Sequence, residues 1–306
     1  MYKAAGASIF LKVLKLPSYA KINLHLDIFG RRQDGFHELC TVFQTISLCD
    51  EIFFEPADEF TLAVAGRAPA GPANIVTKAA QMLAERAGVR CAAAVKLKKH
   101  IPSPGGLGGG SSNAATVLIG LSRLWGIRPS EADLYQLAAE LGSDTPFFLT
   151  GGTAAAGGRG EIIEPLEDVR IGPMLVVTPP VDVMTAEAFK ALDARVLTIS
   201  DEKSNLLVCR AAVKKILEDP VAGSNGFENT VFAAHPEIER VKFTLTRNGA
   251  VHSLMSGSGA SVFGIFDTEE TRQTALKALD HEVNWRKFAV AAISRIEYRE
   301  ALQIVY

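Results

Sequence analysis

Residues 101–116 read Ile-Pro-Ser-Pro-Gly-Gly-Leu-Gly-Gly-Gly-Ser-Ser-Asn-Ala-Ala-Thr, and no other segment constrains the fold as tightly. Five glycines, Gly105, Gly106, Gly108, Gly109 and Gly110, free the backbone to take positive φ and to approach a ligand closely. Upstream, Val95-Lys96-Leu97-Lys98 alternates like a strand. Downstream, Val117, Leu118, Leu121, Leu124 and Trp125 recur at helical spacing, and Gly126 supplies a stop. A strand, a glycine-rich turn and a helix N-terminus together hold phosphate: free N–H groups and the positive end of the helix dipole face the anion. A plain glycine-rich turn without a ligand remains the alternative reading.

The loop is neither common nucleotide fingerprint. A P-loop ends in Gly-Lys-Ser/Thr, whereas Gly110 is followed by Ser111. The dinucleotide pattern also needs an acidic residue about 20 positions on, at a strand end, and none is so placed. Lys96, Lys98, Lys99 and His100 precede the loop. They form either a local anion-binding cluster or a solvated strand end.

The chain has 306 residues, enough for two domains. A net charge of −2 argues against a general nucleic-acid binder. No run approaches the roughly 20 apolar residues of a membrane span. Ser8 to Leu16 resembles a signal core, but Lys12 and Lys15 interrupt it, and it reads as a leader into the first strand. Cys40, Cys49, Cys91 and Cys209 are scattered, so reduced thiols in a cytoplasmic protein are expected, not zinc or disulfides.

Tyr19 to Phe29 alternates with period two, with Ile22, Leu24, Leu26 and Ile28 on one face and Lys21, Asn23, His25 and Asp27 on the other. Strand-like runs follow at 40–47 and 50–54. Asn74 caps a helix ending at Gly88, and Ser130 with Asp133 caps another ending at Gly142. Leu175 to Thr178 reads as a strand. His252 to Phe266 reads as strand, glycine turn, strand, and a polar helix follows from Glu269 to Leu279. Strands mixed with separated helices make an α+β protein. The expected domains are 1–165 and 166–284, with a strand from about 285 to 306 returning to the first.

Three segments resemble the GHMP small-molecule kinase superfamily: Ser18-Tyr19-Ala20-Lys21-Ile22-Asn23-Leu24, the loop from Gly106 to Ala115, and Met255-Ser256-Gly257-Ser258-Gly259-Ala260. Further detail comes from Asp34-Gly35-Phe36-His37 and Gly142-Ser143-Asp144-Thr145-Pro146-Phe147-Phe148. The resemblance runs from about Pro17 to the chain end. It implies an N-terminal domain like ribosomal protein S5 and a ferredoxin-like C-terminal domain. It is strongest to the branch that phosphorylates the 2-hydroxyl of 4-diphosphocytidyl-2-C-methyl-D-erythritol, on the non-mevalonate route to isoprenoid precursors. Phe36 stands where that branch often has Tyr, and Pro104 removes one donor from the loop.

By the resemblance, Asp144 is the base and Lys21 its cationic partner. Read without it, Asp144 is a plain helix cap and Lys21 an outer strand residue. Asn23 shares the strand face of Lys21 and reaches the same substrate. The resemblance implies ATP, with Mg²⁺, on Asn74, Ile75, Lys96, Pro104, Gly105, Gly106, Leu107, Gly108, Gly109, Gly110, Ser111 and Ser112. It places Phe36, His37, Thr185 and Phe189 against the cytidyl substrate; Phe189 also suits a helix core and His37 a loop. Another GHMP kinase, for homoserine, mevalonate or a sugar, and a non-catalytic ligand sensor are the competing functions.

Overall fold

The computed structural model describes residues 13–32, 34–68, 71–192 and 202–304. Residues Ser8 to Lys12 of the leader reading lie outside them. Two long strands, β1 (Leu14–Arg31) and β2 (His37–Glu55), pair antiparallel from Leu14↔Phe54 to Arg31↔His37. The runs at 40–47 and 50–54 are thus one strand. The pairing steps from Tyr19↔Cys49 to Ala20↔Ile46, so Ser47 and Leu48 lack partners on β1. This bulge is what breaks the alternation in the sequence.

Around this ribbon, β3 (Thr61–Ala65), β4 (Ala94–Lys98), β5 (Thr153–Gly157) and β6 (Ile162–Pro165) complete a six-stranded sheet. Among its described strands, β3 and β4 pair parallel and the other neighbours antiparallel. One core gathers the sheet and the helices α1 (Ile75–Ala87), α2 (Gly109–Leu124), α3 (Glu131–Leu141) and α4 (Phe147–Thr150) through Phe54, Val76, Leu83, Leu118 and Phe148. The expected caps form. Asn74 Oδ1 accepts from Val76 N at 2.9 Å, Ser130 Oγ accepts from Asp133 N at 3.1 Å, and Gly88 closes α1 at φ 63°.

The chain then builds β7 (Met174–Thr178), the helices α5 (Thr185–Leu192), α6 (Glu202–Glu218), α7 (Glu228–Ala234) and α8 (Pro236–Arg247), β8 (His252–Met255), β9 (Val262–Ile265), α9 (Glu269–Ala278) and β10 (Arg286–Val290). These strands form a separate antiparallel sheet ordered β10-β7-β9-β8, the split βαβ arrangement of ferredoxin-like domains. The strand expected to return to the first domain belongs to this second sheet, because β10 pairs with β7. The residues after it do return. Ile293 N donates to Thr45 O at 2.9 Å, and α10 (Arg295–Ala301) buries Tyr298, whose hydroxyl donates to Phe148 O at 2.5 Å.

Cys40 of β2 and Cys209 of α6 are joined in a disulfide, which corrects the expectation of four reduced thiols; Cys49 and Cys91 are free. The pair is 169 residues apart in sequence, and only the packing of α6 on the β1–β2 ribbon brings the Cα atoms to 5.5 Å. Among the described residues no helix is long and apolar enough to cross a membrane.

Candidate active site

A cleft of about 530 Å³ opens between the two domains, floored by the 104–111 loop and the start of α2. Gly106 and Gly108 sit at φ 70° and 68°, the left-handed region where a side chain is strained. A Cβ on Gly106 would fall 2.0 Å from Ser256 O, and one on Gly108 2.7 Å from Phe148 Cζ. These glycines are required by the protein's own packing, before any ligand arrives. Gly110 differs, since its nearest neighbour would be Ile75 Cγ2 at 4.0 Å, so it faces open cleft. Gly108 offers α2 no side-chain cap, which leaves the first-turn N–H groups free for an anion.

The Met255–Ala260 motif braces this loop. Ser256 Oγ donates to Gly106 O at 2.8 Å, and Ser261 N donates to Gly105 O at 3.2 Å. Asn225 Nδ2 holds the brace by donating to Met255 O at 2.7 Å and Gly257 O at 2.8 Å. Behind the loop lies a buried network. Asp50 Oδ1 accepts from His100 N at 2.7 Å and Ile101 N at 2.8 Å, while Lys99 and Asn113 Nδ2 both reach Oδ2. The strand end and the helix start are thereby fixed to one carboxylate.

Of the residues expected to hold ATP, Asn74, Ile75, Pro104, Gly105, Gly106, Leu107, Gly108, Gly109, Gly110 and Ser111 line the cleft. Lys96 and Ser112 do not. Lys96 points to solvent from β4, because alternation on that strand sends Val95 and Leu97 inward. Ser112 is fully buried, with its hydroxyl 2.8 Å from Ser18 Oγ. Within the basic cluster the cleft-lining lysine is Lys99, ion-paired to Asp50, and Lys98 is 3.5 Å from Glu51. The basic cluster is therefore largely neutralised.

Lys21 and Asp144 meet in the cleft, Nζ to Oδ2 3.4 Å. The polar face of β1 is not an outer face. Lys21 is 3% exposed and Asn23 2%. Lys21 Nζ also donates to Asn23 Oδ1 at 2.6 Å and lies 4.9 Å from the Phe43 ring centre. Burial lowers the Lys21 pKa from the ordinary lysine value, and Asp144 pulls it partly back. Asp144 does not cap α4, whose N-cap is Pro146 without a side-chain bond. Its carboxylate instead stands in the cleft, about one-third exposed.

On the far side, Thr185 and Phe189 line the cleft, and Thr185 Oγ1 is 2.9 Å from Ser258 Oγ. His37 stacks on Phe189 with ring centres 4.8 Å apart and planes at 24°, and Phe227 meets Phe189 edge-on. Phe36, next to His37 in sequence, is half exposed, with the Arg159 guanidinium 4.6 Å from its ring centre. Phe36 and His37 are not among the cleft-lining residues. Sequence reading missed Arg159 and Ser258, although Ser258 sits in a motif already singled out, and it named Lys99 only as one of a basic cluster.

The family model "GHMP kinases N terminal domain" matches residues 74–152, and "GHMP kinases C terminal" matches 211–284. The 4-diphosphocytidyl-2-C-methyl-D-erythritol kinase of Pelotomaculum thermopropionicum is 41% identical over 264 residues, covering 84% of this chain and 91% of that protein. The enzyme of the same name from Solibacter usitatus is 37% identical over 292 residues, 93% of this chain and 90% of that one. A crystal structure of 4-(cytidine 5'-diphospho)-2C-methyl-D-erythritol kinase superposes with a TM-score of 0.75 at 34% identity, covering 91% of this chain and 99% of that one. A homoserine kinase from Cytophaga hutchinsonii reaches a TM-score of 0.69 at 17% identity over 96% of this chain and 98% of that one, which speaks to fold alone. With its paired GHMP domains and relatives of this identity along most of its length, the chain belongs to the 4-diphosphocytidyl-2-C-methyl-D-erythritol kinase family of GHMP kinases.

Proposed function

We propose that this chain transfers the γ-phosphoryl group of ATP to the 2-hydroxyl of 4-diphosphocytidyl-2-C-methyl-D-erythritol. The observation that carries the reading is the Lys21–Asp144 pair, set between a glycine-lined phosphate floor and the His37–Phe189 stack. A nucleotide fits the floor, with its phosphates on the loop and its adenine toward Asn74 and Ile75. The acceptor fits the other side, its cytosine on the aromatic rings and its polyol at Asp144.

The acceptor is a tertiary alcohol and a poor acid, so its proton leaves late in the transfer. Phosphoryl transfer passes through a loose transition state, in which positioning and charge stabilisation dominate. Asp144 orients the hydroxyl and finally takes its proton. Lys21 has three donors; Asn23 and Asp144 engage two, and the third offsets charge on the reacting oxygens.

Magnesium enters with ATP in this reading. Among the described residues no group of three or more His, Cys, Asp or Glu side chains could hold an ion alone. The cleft offers the Ser111 hydroxyl and the Asp144 carboxylate, oxygen donors that suit an ion already held by phosphates. When bound, the ion neutralises phosphate charge.

The same reading places the enzyme in the cytoplasm, a compartment where the Cys40–Cys209 bond is unusual. ATP-dependent phosphorylation of the cytidyl alcohol, and none of free 2-C-methyl-D-erythritol, is the expected assay result. Equal turnover of both would reject the cytidyl substrate.

A further inference from the structure

Resting on that reading, we infer that Arg159 grips the diphosphate of the nucleoside-diphosphate substrate and selects for it. The residue sits on the turn between β5 and β6 and lines the cleft. Two contacts locate it. Its guanidinium lies over the Phe36 ring, on the side that takes the base. Its neighbour Gly160 is so close to Asp144 that a Cβ there would be 3.6 Å from Oδ1. Two consecutive residues therefore span from the base side to the carboxylate at the reacting alcohol. In the substrate, the group between those ends is the diphosphate.

The charges agree with the placement. The diphosphate brings two negative charges into a cleft whose other cations are already engaged. Lys21 is held by Asp144 and Asn23, and Lys99 by Asp50 and Asn113. Arg159 is only partly engaged. Glu161 accepts from its backbone N at 2.6 Å and forms an ion pair with the guanidinium through Nε at 3.1 Å, which holds one edge of the group. Among the described residues no acceptor takes its two Nη groups, which form a fork suited to phosphate oxygens. Exposed Asp34 is the other carboxylate that feels this charge. The turn itself is anchored, since Leu39 N donates to Gly158 O at 2.8 Å and Gly158 N to Glu38 Oε1 at 3.2 Å. Without ligand the guanidinium rests on Phe36 as a cation–π contact. A phosphate draws it off and clears that ring face for the base.

The test compares the parent with Arg159→Ala and Arg159→Lys. Calorimetry measures binding of cytidine diphosphate and cytidine monophosphate, and steady-state kinetics measure kcat and KM for the cytidyl alcohol. The parent should prefer the diphosphate by at least about tenfold, and Arg159→Ala should erase that preference. KM should rise at least about tenfold in Arg159→Ala while kcat stays within about threefold. Arg159→Lys should recover part of the charge effect but not the forked contact. An unchanged diphosphate preference in Arg159→Ala, or a fall in kcat alone, overturns the proposal. The binding arm needs no turnover. A parent that binds cytidine diphosphate through Arg159 yet phosphorylates nothing would defeat the proposed reaction and leave this assignment standing.

Discussion

Lys21 Nζ lies 3.4 Å from Asp144 Oδ2, although the two residues come from the first strand and from a loop more than a hundred positions later. One partner is buried and the other stands at the cleft, so the pair joins the protein interior to the cleft surface. Asp144→Asn keeps the shape and removes the charge. It should lower kcat by about 10²-fold or more with little change in substrate affinity. Lys21→Met should act likewise, and the double variant should be scarcely worse, because groups acting as a unit are not additive. Near-normal kcat in Asp144→Asn would remove the carboxylate from the mechanism.

Burial holds the Lys21 pKa below the ordinary lysine value of 10.5. Activity that needs the ammonium should therefore fall, as pH rises, before that value is reached. Stability has the opposite sign. Between the folded pKa and 10.5 the unfolded chain binds the extra proton, so this group makes folding more favourable as pH rises. The parent should gain stability relative to Lys21→Met across that window. Denaturant titrations of both proteins at several alkaline pH values check it, and a constant difference would contradict the buried ammonium.

Gly110 and Gly108 separate ligand binding from packing. Valine at 110 projects into open cleft and should weaken ATP binding with little change in Tm. Valine at 108 meets the Phe148 ring at a backbone φ of 68° and should lower Tm markedly. Calorimetric titration with a nonhydrolysable ATP analogue, beside melting curves, reads both. Full ATP affinity in Gly110→Val would move the phosphates off this loop.

Phe189→Ala removes the ring that His37 stacks upon. Base stacking is worth about 1–3 kcal/mol, so KM for the cytidyl substrate should rise roughly 5- to 150-fold with kcat retained. An unchanged KM would assign Phe189 to the core alone.

Much of this was legible in the sequence because it is local. The glycine loop, its helix and the caps at Asn74 and Ser130 each depend on neighbours a few residues away. What was missed depends on the fold. Lys21 and Asn23 read as a polar outer face, yet the second domain's Ser256 and the glycine loop cover them. Lys96 looked like the phosphate lysine, but strand alternation turns it outward and places Lys99 in the cleft. Ser112 follows Ser111 in the same motif, and helical rotation sends its hydroxyl to Ser18. Arg159 lies in an ordinary turn and gains meaning only from Phe36 and Asp144 across space.

The disulfide was invisible for the same reason. Without reductant, the unfolded protein should take up two alkylating groups, at Cys49 and Cys91, and after reduction four. Cys209→Ser should lower stability by about 2–5 kcal/mol, the usual cost of losing such a cross-link. Four labels without reductant would show that the bond does not form.

Parallel assays with ATP and each of three acceptors, the cytidyl diphospho-methylerythritol, homoserine and mevalonate, with product mass and ³¹P spectra recorded, test the central claim most directly. The expected product is one new phosphomonoester, on the 2-hydroxyl of the cytidyl substrate, at a kcat/KM well above the other two. Preferential phosphorylation of homoserine or mevalonate, or ATP binding without transfer to any of the three, would contradict it.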